Sequence, residues 1–400
     1  MQDNKIEETV IACFQAYFNK AGITINPPSN EEEWKSLALF INRHSLTAFF
    51  YQAITRRKIP LEASPDIIRD WAMITRKTTV FNVLLAREAG LILADLKKLD
   101  IYPILLKGFA LHRIYEDILT RPTSDIDLLI KKDEYPAVRD YLLQNRFTYA
   151  MARDFRGTPE QYIELQENYC TEISFQKTLG SISIVIDLHW ELNGIYDGSP
   201  LEAVFPIDQY PWQQYIEMDY WDEIAFNSLI PEMQFIHLAV HFAIHHQFQG
   251  AKWFLDLVFF INNRGGELDW KFIDSIVKEP DCRKILGVTL RLIDSFKINS
   301  PEGMPEWQHF WNGKALPYEF IYFRKRIFAE PSKTGQYMGN VLLPLNFTDK
   351  LKVLAYYMFN NEAISLWRTD NQPGVIPGFL QPFYLISRVY QDYKNKNIYN

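Results

Sequence analysis

RPTSDIDLLI, Arg121 to Ile130, runs from a Thr-Ser turn into Ile, Leu, Leu and Ile. The apolar run reads as a strand entering a core. Asp125 and Asp127 are set into its start, two residues apart. Side chains at i and i+2 of a strand point to one face, so these carboxylates stand side by side. Like charges that close repel each other. A divalent cation between them offsets the repulsion, and Mg²⁺ is commonly held by one or two carboxylates together with substrate phosphates. A third carboxylate would complete a two-metal clamp, with the ions about 3.5–4 Å apart. Asp187, in ISIVIDLHW, is a lone acid on a second apolar strand, and His189 shares its face.

Upstream, LLKGFAL puts Lys107 and Gly108 at an expected strand-to-helix turn. Glycine lets a backbone approach a ligand closely, and the N–H groups opening a helix suit a phosphate. Lys107 would add a positive charge, and Arg121 and Arg113 would reach further phosphate oxygens. Other readings stay open for each residue. Lys107 also fits an exposed lysine at a strand end. Arg121 fits an ion pair with Asp125 or Asp127 equally well. His189 fits either an acceptor-site or supporting residue, or a packed histidine bonded to a neighbour. A D-x-D pair alone is common; its order with Lys107-Gly108 and Asp187 makes the pattern specific.

Outward from this centre the chain divides in three. Residues 1–95 read as helical: IEETVIACFQAYF and NEEEWKSLALFINRH repeat apolar residues every three or four positions, and a Ser-Pro-Asp signal opens a long helix. Residues 96–230 give strand, helix (FALHRIYED), strand, helix (EYPAVRDYLLQNRF) and a hairpin, CTEISFQK to ISIVIDLHWEL, turning at TLGS. From Pro231 to the end, 231–400, helix returns, with a less regular aromatic tail and a loop at NQPGVIPGF. The expected fold is an α/β (α+β) mixed-sheet core held between helical regions.

Composition narrows the partners. A formal net charge of −7 opposes broad attraction to nucleic acid or an anionic membrane. The acidic start MQDNKIEETV lacks the apolar stretch of a signal peptide, and WFLDLVFFI is too short, and too interrupted by Asp256, to span a bilayer. Cys13, Cys170 and Cys282 are too scattered for a disulfide framework or a zinc knuckle. The expectation is a reduced, cytoplasmic protein. Aromatics make up 15% of residues, and a large aromatic core is the simplest reading of that excess.

His237, His241, His245 and His246 sit at helical spacing and invite a zinc reading, but no H-E-x-x-H pattern or nearby cysteine supports it. They are expected beside the catalytic unit, with His241 and His245 near a substrate. Lys252 and Asp256, one turn apart, read as an i, i+4 ion pair.

The series of a glycine turn, D-x-D on the next strand and a lone Asp on a later one resembles the DNA polymerase beta-type nucleotidyltransferase superfamily. Those enzymes commonly carry Gly-Ser at the turn, where this chain has LLKGFAL. With RPTSDIDLLI and IDLHW, the pattern is similar to uncharacterised bacterial nucleotidyltransferases bearing a Lys-Gly motif. The motifs cover about residues 100–192, and HLAVHFAIHHQFQGAKWFLDL is similar to the histidine-spaced helical region that follows in that subgroup. The resemblance implies Asp125, Asp127 and Asp187 as catalytic metal ligands for Mg²⁺, with Mn²⁺ as substitute. It implies phosphate binding by Lys107, Gly108 and Arg121, an NTP donor (ATP foremost) and transfer of a nucleoside monophosphate to an acceptor hydroxyl. A small molecule is the first choice of acceptor, then a protein side chain, then an RNA end. The missing hydroxyl after Gly108 leaves open a silent binding protein of this fold, and a toxin-like protein-modifying enzyme is a third reading.

Overall fold

The computed structural model describes residues 2–19, 23–151, 157–192, 212–298 and 315–359. The expected loop NQPGVIPGF lies outside them. Four helices open the chain: α1 (Gln2–Asn19), α2 (Glu31–Arg43), α3 (Thr47–Thr55) and α4 (Pro65–Lys98). α4 begins where its sequence dictates. The Ser64 side chain accepts from the Ile67 N–H, Pro65 sits at the first position, and Lys97 and Lys98 close the last turn. Its buried residues include Leu85, Ala89, Ile92 and Leu96, with Thr75, Asn82 and Glu88 as polar members. Asn82 donates to the carbonyls of Leu119 and Arg121, both at 2.7 Å, and so fixes the turn that leads into RPTSDIDLLI.

Seven strands form one mixed sheet. They are β1 (Ile104–Leu106), β2 (Ile126–Leu129), β3 (Thr148–Tyr149), β4 (Glu172–Leu179), β5 (Ile182–His189), β6 (Ile216–Trp221) and β7 (Ile224–Leu229), in the order β3-β4-β5-β2-β1-β7-β6. β1 and β2 are antiparallel, while β2–β5 and β1–β7 are parallel. The β4–β5 hairpin turns at Gly180, whose φ of +63° a glycine adopts without strain. Helices α5 (Tyr135–Gln144) and α6 (Pro159–Tyr169) flank β3.

Two expectations change here. FALHRIYED is not a helix. Lys107 and Gly108 take φ of +44° and +42°, and only a single 3₁₀ turn, Gly108–Leu111, follows. The sheet also extends beyond the expected strands through the β6–β7 hairpin, turned at Asp222 with φ +51°.

The remaining helices are α7 (Pro231–Ile244), α8 (Ala251–Arg264), α9 (Trp270–Ile276), α10 (Pro280–Ser295), α11 (Pro317–Arg326), α12 (Lys333–Leu342) and α13 (Phe347–Phe359). The last three give regular structure to a stretch the sequence left irregular. One continuous hydrophobic cluster runs from Val10 to Val353 and joins both helical regions to the sheet. Phe14, Phe50, Phe235, Phe254 and Phe296 are among its fully buried side chains, as the aromatic excess requires. Among the described residues no helix is long and apolar enough to cross a membrane.

Candidate active site

Parallel pairing of β2 with β5 sets Asp127 opposite Asp187, and the antiparallel β4 sets Ser174 opposite Asp187. Partners across a ladder share a face, so carboxylates remote in sequence stand side by side. Asp125, two residues before Asp127, lies on the same side by the strand period. All three line one cleft of about 170 Å³ with Lys107, Gly108, Arg121 and His189. The opposite wall comes from α7, α8 and the loop between them, through His241, His245, His246, Lys252 and Trp253.

The charges in this cleft are closely coupled. The Lys107 ammonium lies 2.7 Å from Asp127 Oδ1, and His189 Nε2 lies 3.1 Å from the same oxygen. Burial alone would raise the Asp127 pKa, but these two partners hold it well below the carboxylate range. The other ring nitrogen of His189, Nδ1, lies 3.0 Å from Glu172 Oε2. Burial disfavours the imidazolium, yet Glu172 and Asp127 together lift His189 to about 9, so it is charged at neutral pH. Glu172 is drawn down to about 2, with His189 outweighing burial. Asp187 accepts from Ser174 Oγ at 2.6 Å, but burial and then Asp127 and Asp125 push it up to about 7. Burial and Asp127 raise Asp125 too. The carboxylate wall therefore holds more negative charge than its neighbours offset.

The arrangement can be tested against a divalent cation. Among the described residues no three His, Cys, Asp or Glu side chains converge into a closed cage. The three aspartates would therefore not enclose an ion without further ligands. Mg²⁺ needs no such cage when phosphates complete its shell. The donor set is all oxygen, and two of its members are raised by burial and then by neighbouring carboxylates, so the residues fit a hard cation that arrives with substrate oxygens.

Arg121 lines the cleft but its guanidinium is committed. Nε and Nη2 bond Asp256 Oδ1 and Oδ2 at 2.7 and 2.6 Å, a two-pronged buried pair. Tyr115 Oη also donates to Asp256, at 2.5 Å. The ion pair left open for Arg121 thus exists, but with Asp256 and not with Asp125 or Asp127. Lys252 consequently does not pair with Asp256. Arg113 lies away from the cleft. It bonds Asp219 of β6 at 2.5 Å, beside His112 at 3.0 Å. The Lys107–Gly108 turn reaches the cleft, as expected, but through an unusual backbone and not through a helix N-terminus. A Cβ on Gly108 would meet only Thr123 Cγ2, at 3.5 Å, so its φ of +42° is what calls for glycine.

The histidine stripe forms a run of stacked rings. His241 and His245 stack at 4.6 Å, His241 Nε2 lies 3.1 Å from His246 Nε2, and His246 stacks on Trp253 at 3.6 Å. Burial first, then surrounding positive charge, hold His241 and His246 well below 6.5 and His237 down to about 3. Gly250 fits this wall closely, because a Cβ there would come within 2.2 Å of the Trp253 ring. Glu172, His246, Lys252 and Trp253 are cleft residues given no site role by the sequence reading. Only His246 and Lys252 left a trace, in the histidine run and the i, i+4 spacing.

The model of one protein family, described as an uncharacterised nucleotidyltransferase, matches residues 30–296. No curated protein matches the chain.

Proposed function

The chain belongs to this uncharacterised nucleotidyltransferase family, and on that premise we propose that it moves a nucleoside monophosphate from an NTP to an acceptor hydroxyl, with Mg²⁺. The observation that carries the proposal is the register of Asp127 against Asp187 on adjacent parallel strands, with Asp125 beside them. Asp125, Asp127 and Asp187 would hold the cation, which when bound would offset negative charge on the attacking and leaving oxygens. Lys107 and His189 keep Asp127 ionised and oriented. Ser174 fixes one oxygen of Asp187, which leaves the other to take the proton of the acceptor hydroxyl. The acceptor oxygen bonds the α-phosphorus in line as the bond to the bridging oxygen breaks, and pyrophosphate leaves with the electron pair.

The acidic balance of the chain favours a small-molecule acceptor over a nucleic acid. One observation favours the alternative, a binding protein without turnover. Lys107 already neutralises Asp127.

Thermal unfolding with each NTP, with and without Mg²⁺, separates these readings. A ligand bound only by the folded state raises its apparent stability. One NTP should raise the melting temperature of the wild type in a Mg²⁺-dependent way, and Asp125→Ala/Asp127→Ala and Asp187→Asn should abolish the shift. With that NTP labelled at the α-phosphate, transfer should fall at least about 10³-fold in Asp187→Asn. A well-folded wild type that responds to no NTP would sink the proposal.

A further inference from the structure

Lys107, Arg121, Lys252 and the charged His189 line the cleft. Three of these are already matched. Lys107 and His189 are paired with Asp127, and Arg121 is held by both oxygens of Asp256. Among the described residues Lys252 forms no ion pair within 4 Å, although Asp256, Asp125 and Asp127 lie near enough to favour its charge. Its expected partner, Asp256, stands one turn further along α8 but faces Arg121 and Tyr115. The Lys252 ammonium rests instead 4.8 Å from the centroid of the Trp253 ring, on the wall opposite the carboxylates.

A half-buried ammonium without a counter-charge lowers stability. Here burial, and then the nearby Arg121 charge, push Lys252 down to about 8. Lys252 also stands at a junction. With Arg121 it borders a second, smaller cavity whose lining mixes aromatic rings (Tyr17, Tyr115) with charged groups (Lys58, Glu116), so it lies between the carboxylate face and a mixed recess. A cation kept unmatched at that point is suited to an anion that comes and goes. A nucleoside triphosphate carries more negative charge than one divalent ion offsets, and the surplus lies on its outer phosphates.

We infer that Lys252 binds the β- and γ-phosphates of the donor nucleotide and, after transfer, the departing pyrophosphate. The inference rests on the nucleotidyl-transfer reading above and adds a residue to it. Lys252 forms no bond to the α-phosphorus and moves no proton. It supplies positive charge where the leaving group gathers negative charge.

Calorimetric titration of the full chain tests this, with Mg²⁺ present throughout. The probes are inorganic tripolyphosphate, each NTP and the corresponding monophosphates, against wild type, Lys252→Met and Lys252→Arg. Lys252→Met should weaken tripolyphosphate and the preferred NTP by the same factor, about tenfold or more, and leave the monophosphate unchanged. Lys252→Arg should recover most of that loss. Without ligand, Lys252→Met should melt at or above wild type, because it removes an unmatched charge; a lysine with a purely structural role would give a lower melting temperature. Equal binding by wild type and Lys252→Met would overturn the inference and leave nucleotidyl transfer intact. Lys252-dependent binding of tripolyphosphate with no binding of any NTP would remove the nucleotidyl reading and keep the anion site. A wild type that binds neither would overturn both.

Discussion

Arg121 and Asp256 are 6% and 1% exposed, and each brings a full charge into the interior. Such a pair is expensive to break by halves, because the remaining partner stays buried and unmatched. Arg121→Met or Asp256→Leu alone should therefore destabilise the fold by about 3–5 kcal/mol, whereas the double variant should come close to wild type. Urea unfolding of the four chains checks this, and simple additivity of the two single losses would contradict it. The pair also shows where a reading of the sequence reaches its limit. Asp125 and Asp127 are legible because a strand repeats every two residues, and Asp187 because it is a lone acid in an apolar run. Lys252 and Asp256 satisfy an equally good local rule, but a partner remote in sequence, Arg121, takes Asp256 through two bonds at once. Glu172 leaves no local trace at all. It becomes a site residue only because the β4–β5 register sets it opposite His189.

At the scale of elements, α2 ends at His44, whose ring lies 4.4 Å from Phe40 and 5.6 Å from Phe328. Burial, with a smaller contribution from Arg43, lowers His44 from 6.5 to about 4. The unfolded chain therefore binds more protons than the folded one between those values. Stability contributed by the neutral ring is complete above pH 6.5, falls as the pH drops through the window, and levels off below about 4. Urea midpoints measured across that window should fall more steeply in wild type than in His44→Gln, and parallel profiles would refute the assignment. Elements with strong period and capping were legible in the sequence: α4 with its Ser-Pro opening, the hairpin at Gly180, the strands around Asp127. Those that tertiary context decides were not. IEMDYW in β6 alternates weakly, with Asp219 buried and Tyr220 exposed, because its acid is claimed by His112 and Arg113 of another segment. FALHRIYED has helical composition, but the two positive φ angles before it redirect the chain.

Across the whole molecule the helical regions are bound to the sheet and to each other. Tyr17 and Phe18 of α1 pack edge-on against Phe259 of α8, and Gln15 donates to the Phe296 carbonyl at 2.8 Å. Arg43 of α2 meets Glu330 at 2.5 Å. On the far side Glu319 of α11 is fully buried between Lys284 of α10 and Lys350 of α13. Lys284 also donates to the carbonyls of Leu342 and Pro344, at 2.8 and 3.1 Å. One carboxylate thus ties three helices together. Glu319→Gln leaves two lysines without their counter-charge and should lower stability by about 3–5 kcal/mol. Guanidinium unfolding gives the loss, and limited proteolysis should find the first new cuts within 317–359. Unchanged cleavage and midpoint would show that Glu319 is dispensable.

The order in which the cleft residues occur along the chain has a consequence for synthesis. A nascent chain emerges from its N-terminus. Lys107, Asp125 and Asp127 come first, Glu172, Asp187 and His189 follow with the sheet, and His241, Lys252 and Asp256 come last. The acidic wall is therefore made before the wall that faces it, and Arg121 has no Asp256 to hold until α8 is out. Through that interval the aspartates face water, where their mutual repulsion is weakest, and the cleft closes over them only after the last of its cations has been made.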